Sequence, residues 1–180
     1  MIYVFLANGF EEIEALSAVD VLRRAEYDVK TVGVGGKSIT GAHGITVLAD
    51  IEEKEVVTGE ELRAIVLPGG MPGALNLEKS PIVRAAAEYC AETGRIVAAI
   101  CAAPSVLGHW GLLKGRSATC FPGFENELDG AAVVEAPVCM DGNFITGKGP
   151  GPAIAFALLI VKALSGEQLS NKIRMSMQCM

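Results

Sequence analysis

A cysteine set between a β-branched run and a proline is the residue of this chain best placed to act as a nucleophile. In Ile96-Val97-Ala98-Ala99-Ile100-Cys101-Ala102-Ala103-Pro104 the apolar run reads as a buried parallel strand. The small residues and the proline that follow open a helix. A thiol at that corner points out of the carboxyl end of a parallel sheet, where open α/β folds bind ligands. Elbow-type hydrolases present their nucleophile in the same way. The free N–H groups of a helix start favour thiolate there. The competing reading is a small core residue, because free cysteines are among the most buried residue types.

Two further segments offer groups that a nucleophile needs. Leu67-Pro68-Gly69-Gly70 ends the apolar run 64–67. Glycines at a strand end let the backbone N–H groups of Gly69 and Gly70 face a neighbouring pocket, as an oxyanion hole requires, although a plain tight turn has the same composition. Glu11-Glu12-Ile13-Glu14 opens the first helical segment. Helix-dipole complementation accounts for Glu11 and Glu12. Glu14 lies one turn further in, beside the apolar face, where burial would neutralise it and turn it into a hydrogen-bond donor. The two histidines are poorer candidates. His43 sits in a turn between glycines, His109 beside Trp110 reads as a packing residue, and neither gives grounds for a Cys-His pair.

The elements that must position these groups alternate along the chain. Strands are expected at 2–7, 29–34, 64–67 and 96–100, and shorter ones near 117–119, 131–134 and 144–146. Helices are expected over 11–24, with Ile13, Leu16, Val19 (or Val21) and Leu22 facing inward, then 81–92, from Cys101 to about Leu113, 153–164, and from about Glu167 onward. A short hairpin lies between 35 and 48. This βα alternation predicts one α/β domain over 1–180, a three-layer sandwich with a mostly parallel sheet and helices on both faces. The segment Thr31-Val32-Gly33-Val34-Gly35-Gly36-Lys37-Ser38 nearly spells a phosphate loop, but the first glycine is missing and a hairpin follows where a helix would be needed.

Bulk properties exclude several classes. The chain is 51% hydrophobic and 20% charged, with a formal net charge of −6 and a pI near 5.0. It carries no basic stripe for a nucleic-acid backbone. The longest apolar stretch, 153–161, is roughly half a membrane span, and the short apolar N-terminus lacks the basic start of a signal peptide. No membrane or nucleic-acid partner and a cytoplasmic location are therefore expected. The five cysteines show no C-x-x-C pair and no metal-ligand spacing with the two histidines, so no metal is expected.

Read in order, Ala7-Asn8-Gly9-Phe10-Glu11-Glu12-Ile13-Glu14, Leu67-Pro68-Gly69-Gly70, Ala98-Ala99-Ile100-Cys101-Ala102-Ala103-Pro104 and Gly147-Lys148-Gly149-Pro150-Gly151 form a series. The series resembles that of the ThiJ/PfpI superfamily, in its DJ-1-like branch, over nearly the whole chain. The resemblance implies a flavodoxin-like fold, a homodimer and no cofactor, with Cys101 as nucleophile and Glu14 as its carboxyl partner. It also implies donors to a substrate oxygen near Gly70. Activities assigned to that branch are glyoxalase conversion of 2-oxoaldehydes, deglycation of aldehyde adducts, and peroxide sensing by the same cysteine. Two departures stand out. Where several members place a histidine near the nucleophile, this chain has Cys120, followed by Phe121 and Pro122 as candidate pocket residues. Ala102 stands where the protease-like branch has histidine, which argues against peptidase activity.

The mechanism expected from these residues is a thiolate at Cys101 attacking an aldehyde, with Glu14 moving protons and the N–H groups of Gly69, Gly70 and Ala102 steadying charge. A free thiol near pKa ~8.5 is only about 3% thiolate at pH 7. The helix start (~0.3–2 kcal/mol) and a neutral Glu14 donating to sulfur (~1.5–3 kcal/mol) are the expected means of lowering it. The rival is a redox-sensing or chaperone-like protein in which Cys101 is oxidised and little is turned over.

Overall fold

Seven strands join into one sheet whose order is not that of the chain. The computed structural model describes residues 1–179. Strands β1 (Ile2–Ala7), β2 (Val29–Val34), β5 (Ile51–Glu52), β6 (Ala64–Leu67), β7 (Ile96–Ile100), β10 (Val138–Asp141) and β11 (Phe144–Gly147) lie in the order β10-β11-β7-β6-β1-β2-β5. Every neighbouring pair is parallel except β10 with β11. Two small ribbons flank the sheet. One is the hairpin of β3 (Ser38–Thr40) and β4 (Thr46–Leu48), and the other pairs β8 (Ser117–Ala118) with β9 (Ala132–Val133).

The central strands are apolar throughout because both faces are covered. Ile2, Val4 and Leu6 of β1 pack with Val66, Ala98 and Ile145 against helices α1 (Glu12–Arg24) and α5 (Ala153–Ser165). Tyr3, Phe5 and Ala7 point the other way, onto α3 (Pro81–Glu92) and α4 (Ala103–His109). α2 (Gly73–Glu78) lies against β1 and α4, and α6 (Glu167–Ser176) packs on α5. The expected sandwich with helices on both faces is therefore what the chain forms. No helix among the described residues is long and apolar enough to cross a membrane.

Two expectations need correction, and three elements were not foreseen. Ile13 and Leu16 do not face the core but are 58% and 38% exposed, and α1 buries Glu14, Ala15, Ala18, Val19, Val21 and Leu22 instead. The inward face is thus narrower, made of small residues, and rotated so that Glu14 lies inside it. The Cys101 helix is only seven residues, Ala103–His109, where it was expected to reach Leu113. Turns closed by Trp110 N–H to Val106 O and Leu112 N–H to Leu107 O finish that segment, and Gly111 adopts φ +73° there. Finally, α2, β5 and β10 carry too few residues to show a period, and no sequence pattern announced them.

Candidate active site

Parallel register brings the ends of β6 and β7 to one level, with Leu67 opposite Ala99. The next residues, Gly69-Gly70 and Cys101-Ala102, therefore leave the sheet side by side. Cys101 turns the chain from β7 into α4 with φ +66°, a left-handed conformation uncommon outside glycine. It is held on both sides. Its N–H donates to Gly147 O at the end of β11, and its carbonyl accepts the N–H of Phe121, both at 2.8 Å. A backbone clamped this way keeps the strained turn and aims the thiol out of the sheet.

Glu14 arrives from the other side of the same corner. Glu11 caps α1, its side chain accepting the N–H of Ile13, and its own N–H donates to Gly69 O at 2.9 Å. That bond ties the helix start to the Leu67-Pro68-Gly69-Gly70 turn. Glu14, fully buried one turn on, accepts the Gly69 N–H at its Oε2 at 2.8 Å. Its Oε1 is buried without a hydrogen-bond partner, and the Cys101 thiol lies beside the carboxyl. Glycine is required here by space. A Cβ on Gly69 would lie 2.6 Å from the Cys101 Cβ and 2.9 Å from Glu14 Oε2.

The electrostatics follow from this packing. Burial pushes the Glu14 carboxyl up from its ordinary value to about 7, more than the Gly69 hydrogen bond and the Cys101 thiol pull it down. Burial and the adjacent Glu14 carboxylate push the Cys101 thiol up to about 12, against the pull of the Gly70 and Ala102 N–H groups that point at sulfur. The expected low-pKa thiol is therefore corrected. A helix of seven residues beside a group that becomes an anion near neutrality does not outweigh desolvation. Cys101 and Glu14 instead form a coupled pair in which burial pushes each group toward its protonated form.

The remaining predicted residues fall into place around the pair. The Gly69 N–H is committed to Glu14, while those of Gly70 and Ala102 face the sulfur. Cys120 is buried next to Phe121, its thiol raised to about 11 by burial and the carboxylates of Glu125 and Glu127. Phe121 and Pro122 line an open apolar groove with Pro137 and residues 148–152. His109 is a surface residue rather than a packing one, its Nδ1–H donating to Glu78 at 2.8 Å. Near the phosphate-loop look-alike, Gly35 turns at φ +83° and gives its N–H to Glu53, a carboxylate of the chain itself.

One arrangement was hidden by sequence distance. Glu12 serves more than the helix dipole. Its buried carboxylate accepts the His43 N–H and the ring Nδ1–H, each at 2.8 Å, so it fastens the β3–β4 hairpin to α1. Glu11 Oε2 lies 3.3 Å from the same ring nitrogen. The three side chains place ligand-type atoms within 4.8 Å of one another, 31 residues apart between Glu12 and His43.

Comparison with known proteins places the fold and these motifs. The DJ-1/PfpI family model matches residues 1–163. Protein dj-1beta of Drosophila melanogaster is 37% identical over 94% of this chain and 92% of its own. A protein of Pyrococcus abyssi named a deglycase is 32% identical over 91% and 98%. Among solved structures, oxidized DJ-1 of Toxoplasma gondii superposes with a TM-score of 0.91 at 33% identity, covering 98% of this chain and 97% of that one. The chain spans only 44% and 39% of the length of the two Arabidopsis thaliana DJ-1 homologs that it also matches. With a strand-to-helix cysteine, a buried helical glutamate and the Pro-Gly-Gly turn assembled in one site, the chain belongs to the DJ-1/PfpI family.

Proposed function

We propose that this protein is a cofactor-free, cysteine-dependent enzyme acting on reactive 2-oxoaldehydes or their adducts. The observation that carries the reading is the coupled pair. A buried carboxyl titrating near pH 7 against a thiol is matched to general acid–base work at neutral pH. The resting state above pH 7 is thiol beside carboxylate. As Cys101 Sγ bonds to the aldehyde carbon, Glu14 takes the thiol proton and the carbonyl electrons move onto oxygen. N–H groups of Gly70 and Ala102 steady that oxygen, and Glu14 passes the thiol proton to it, giving a hemithioacetal and a carboxylate once more. Glu14 carboxylate then removes the proton from that carbon. The electron pair forms an enediol, and reprotonation at the adjacent carbon gives a 2-hydroxyacyl thioester. Water cleaves the thioester, releasing the 2-hydroxy acid and restoring the thiol. The net change is addition of one water to the 2-oxoaldehyde. The name of the archaeal relative supports aldehyde-adduct chemistry in this family.

Methylglyoxal turnover, followed by lactate formation, tests this. The pH profile of kcat/KM should rise through about 7 as Glu14 ionises, and Cys101→Ser should abolish turnover. Full activity in Cys101→Ser would sink the assignment.

A second reading is favoured by Glu14 Oε1, a buried oxygen with no nitrogen or oxygen partner beside the sulfur. A protonated Oε1 would donate to an oxygen added to Cys101, and a Toxoplasma relative is described as oxidized. Mass spectrometry after mild peroxide, with addition confined to Cys101 and lactate formation at background, would favour redox sensing over turnover. We also infer that the protein acts as a homodimer. Ile13 and Leu16, one turn apart on α1, and Ile45 beside Glu12 expose large apolar side chains that a second copy would cover.

A further inference from the structure

One concave surface beside the nucleophile takes no part in the chemistry above. Phe121, Pro122, Pro137 and the segment 148–152 enclose an open groove of about 500 Å³ whose walls are almost wholly apolar. Its two sides are the two segments that clamp Cys101. Phe121 donates its N–H to the Cys101 carbonyl, and Gly147, which accepts the Cys101 N–H, leads directly into 148–152. The groove therefore borders the backbone of the corner that carries the thiol, with Cys101 just outside its lining. The shape depends on Gly149, where a Cβ would press on the Phe121 ring at 3.1 Å. The prolines fix the backbone of the walls, so the groove is pre-formed.

The same groove holds one charged residue. Lys148 is half-buried, and its ammonium makes no salt bridge or hydrogen bond among the described residues. Its backbone is occupied, the N–H donating to Pro137 O at 2.9 Å. Lys148 differs from the other lysines without a partner, Lys37, Lys79, Lys114 and Lys172, in being half-buried where those are exposed. An unpaired cation at an apolar wall suits a ligand with an apolar body and an anionic end.

Resting on the aldehyde reading above, we propose that this groove is the subsite for the non-reacting end of the substrate, an aryl or branched alkyl group ending in a carboxylate. The aldehyde reaches Cys101, the body lies along Phe121 and Pro150, and the carboxylate meets Lys148. The protein would thus prefer large, acidic 2-oxoaldehydes or adducts over methylglyoxal.

Three aldehydes test the subsite: methylglyoxal, phenylglyoxal and 4-carboxyphenylglyoxal. The expected kcat/KM rises in that order, by about tenfold for the ring, in line with the 10–200-fold that an apolar group earns in such a pocket. Phe121→Ala should lower the phenylglyoxal-to-methylglyoxal ratio about tenfold, and Lys148→Met should erase the preference for the carboxylated ring. Equal losses for all three aldehydes in Phe121→Ala would overturn the proposal, because Phe121 would then only support the Cys101 turn. A shift in sedimentation with unchanged ratios would also overturn it, since a second copy would then cover the groove. Alkylation of Cys101 separates this proposal from the aldehyde reading. N-benzyl iodoacetamide should react faster than iodoacetamide in the wild type and lose that advantage in Phe121→Ala. That result without aldehyde turnover removes the enzyme reading and keeps the subsite, whereas no benzyl preference removes the subsite.

Discussion

Glu14 concentrates the chemistry of the site in one carboxyl, and its burial has a measurable signature in stability. A carboxyl raised from 4.5 to about 7 binds its proton more tightly in the folded than in the unfolded chain. The folded state is favoured in full below pH 4.5, and that contribution fades as pH climbs through 7. The difference amounts to about 3 kcal/mol. Glu14→Gln keeps an acceptor for the Gly69 N–H but cannot ionise. Urea unfolding at pH 4.5 and pH 8 should show the variant gaining about 3 kcal/mol relative to wild type on going to the higher pH. Parallel slopes for the two proteins would mean that Glu14 ionises freely. The same substitution removes the charge that raises the Cys101 thiol, so the thiol should titrate below its wild-type value, read as thiolate absorbance. That Cys101 and Glu14 meet was legible from their positions in strand-to-helix and first-turn segments. Their charge states were not, because these depend on how deeply the pair is buried and on an anion 87 residues away in sequence.

Secondary elements show the same division between pattern and environment. The long strands and helices declared themselves through apolar runs, a Pro at the start of α3 and glycines at their ends, and Pro81–Glu92 has the expected bounds. The first turns of α1 were assigned the wrong inward residues because Ile13 and Leu16 have helical spacing with Leu22, while the buried side there is Glu14, Ala15 and Ala18, continued by Val19, Val21 and Leu22. Small residues give little hydrophobic signal although they let α1 approach α5 closely. The hairpin β3–β4 could be seen, but not the carboxylate that secures it. Glu12 holds the His43 N–H and ring, both at 2.8 Å, and Gly41 passes too close to that side chain to carry a Cβ. Glu12→Ala should release the hairpin. Hydrogen exchange at amides 43–47 should quicken at least tenfold, about 1.4 kcal/mol of local protection, with β1 and β7 unaffected. Unchanged exchange in the hairpin would show that β3–β4 pairing alone holds it.

At the scale of the whole molecule, the sheet order places the site where chain segments far apart in sequence end together. β6, β7 and β11 supply Gly69, Cys101 and Gly147, and α1 supplies Glu14. The exposed side of α1 and the neighbouring hairpin carry the apolar side chains Ile13, Leu16 and Ile45. If these form the dimer contact, the double substitution Ile13→Asp and Leu16→Asp should give a monomer by analytical ultracentrifugation, with far-UV circular dichroism unchanged. A dimer that persists in the variant would place the contact elsewhere. The parallel sheet was readable from βα alternation. The exposed apolar side of α1 was not, since a solvent-facing isoleucine at helical spacing looks in sequence like a core residue.

The hydrogen bond from Cys101 N–H to Gly147 O has a consequence for synthesis of the chain. During translation the thiol leaves the ribosome more than forty residues before the strand that clamps it. Until β11 inserts beside β7, the turn at Cys101 lacks its Gly147 partner and has only the Phe121 N–H to hold its left-handed backbone, and the sulfur is open to passing electrophiles. The interval in which the cysteine is reactive without being selective ends only when the last strand docks.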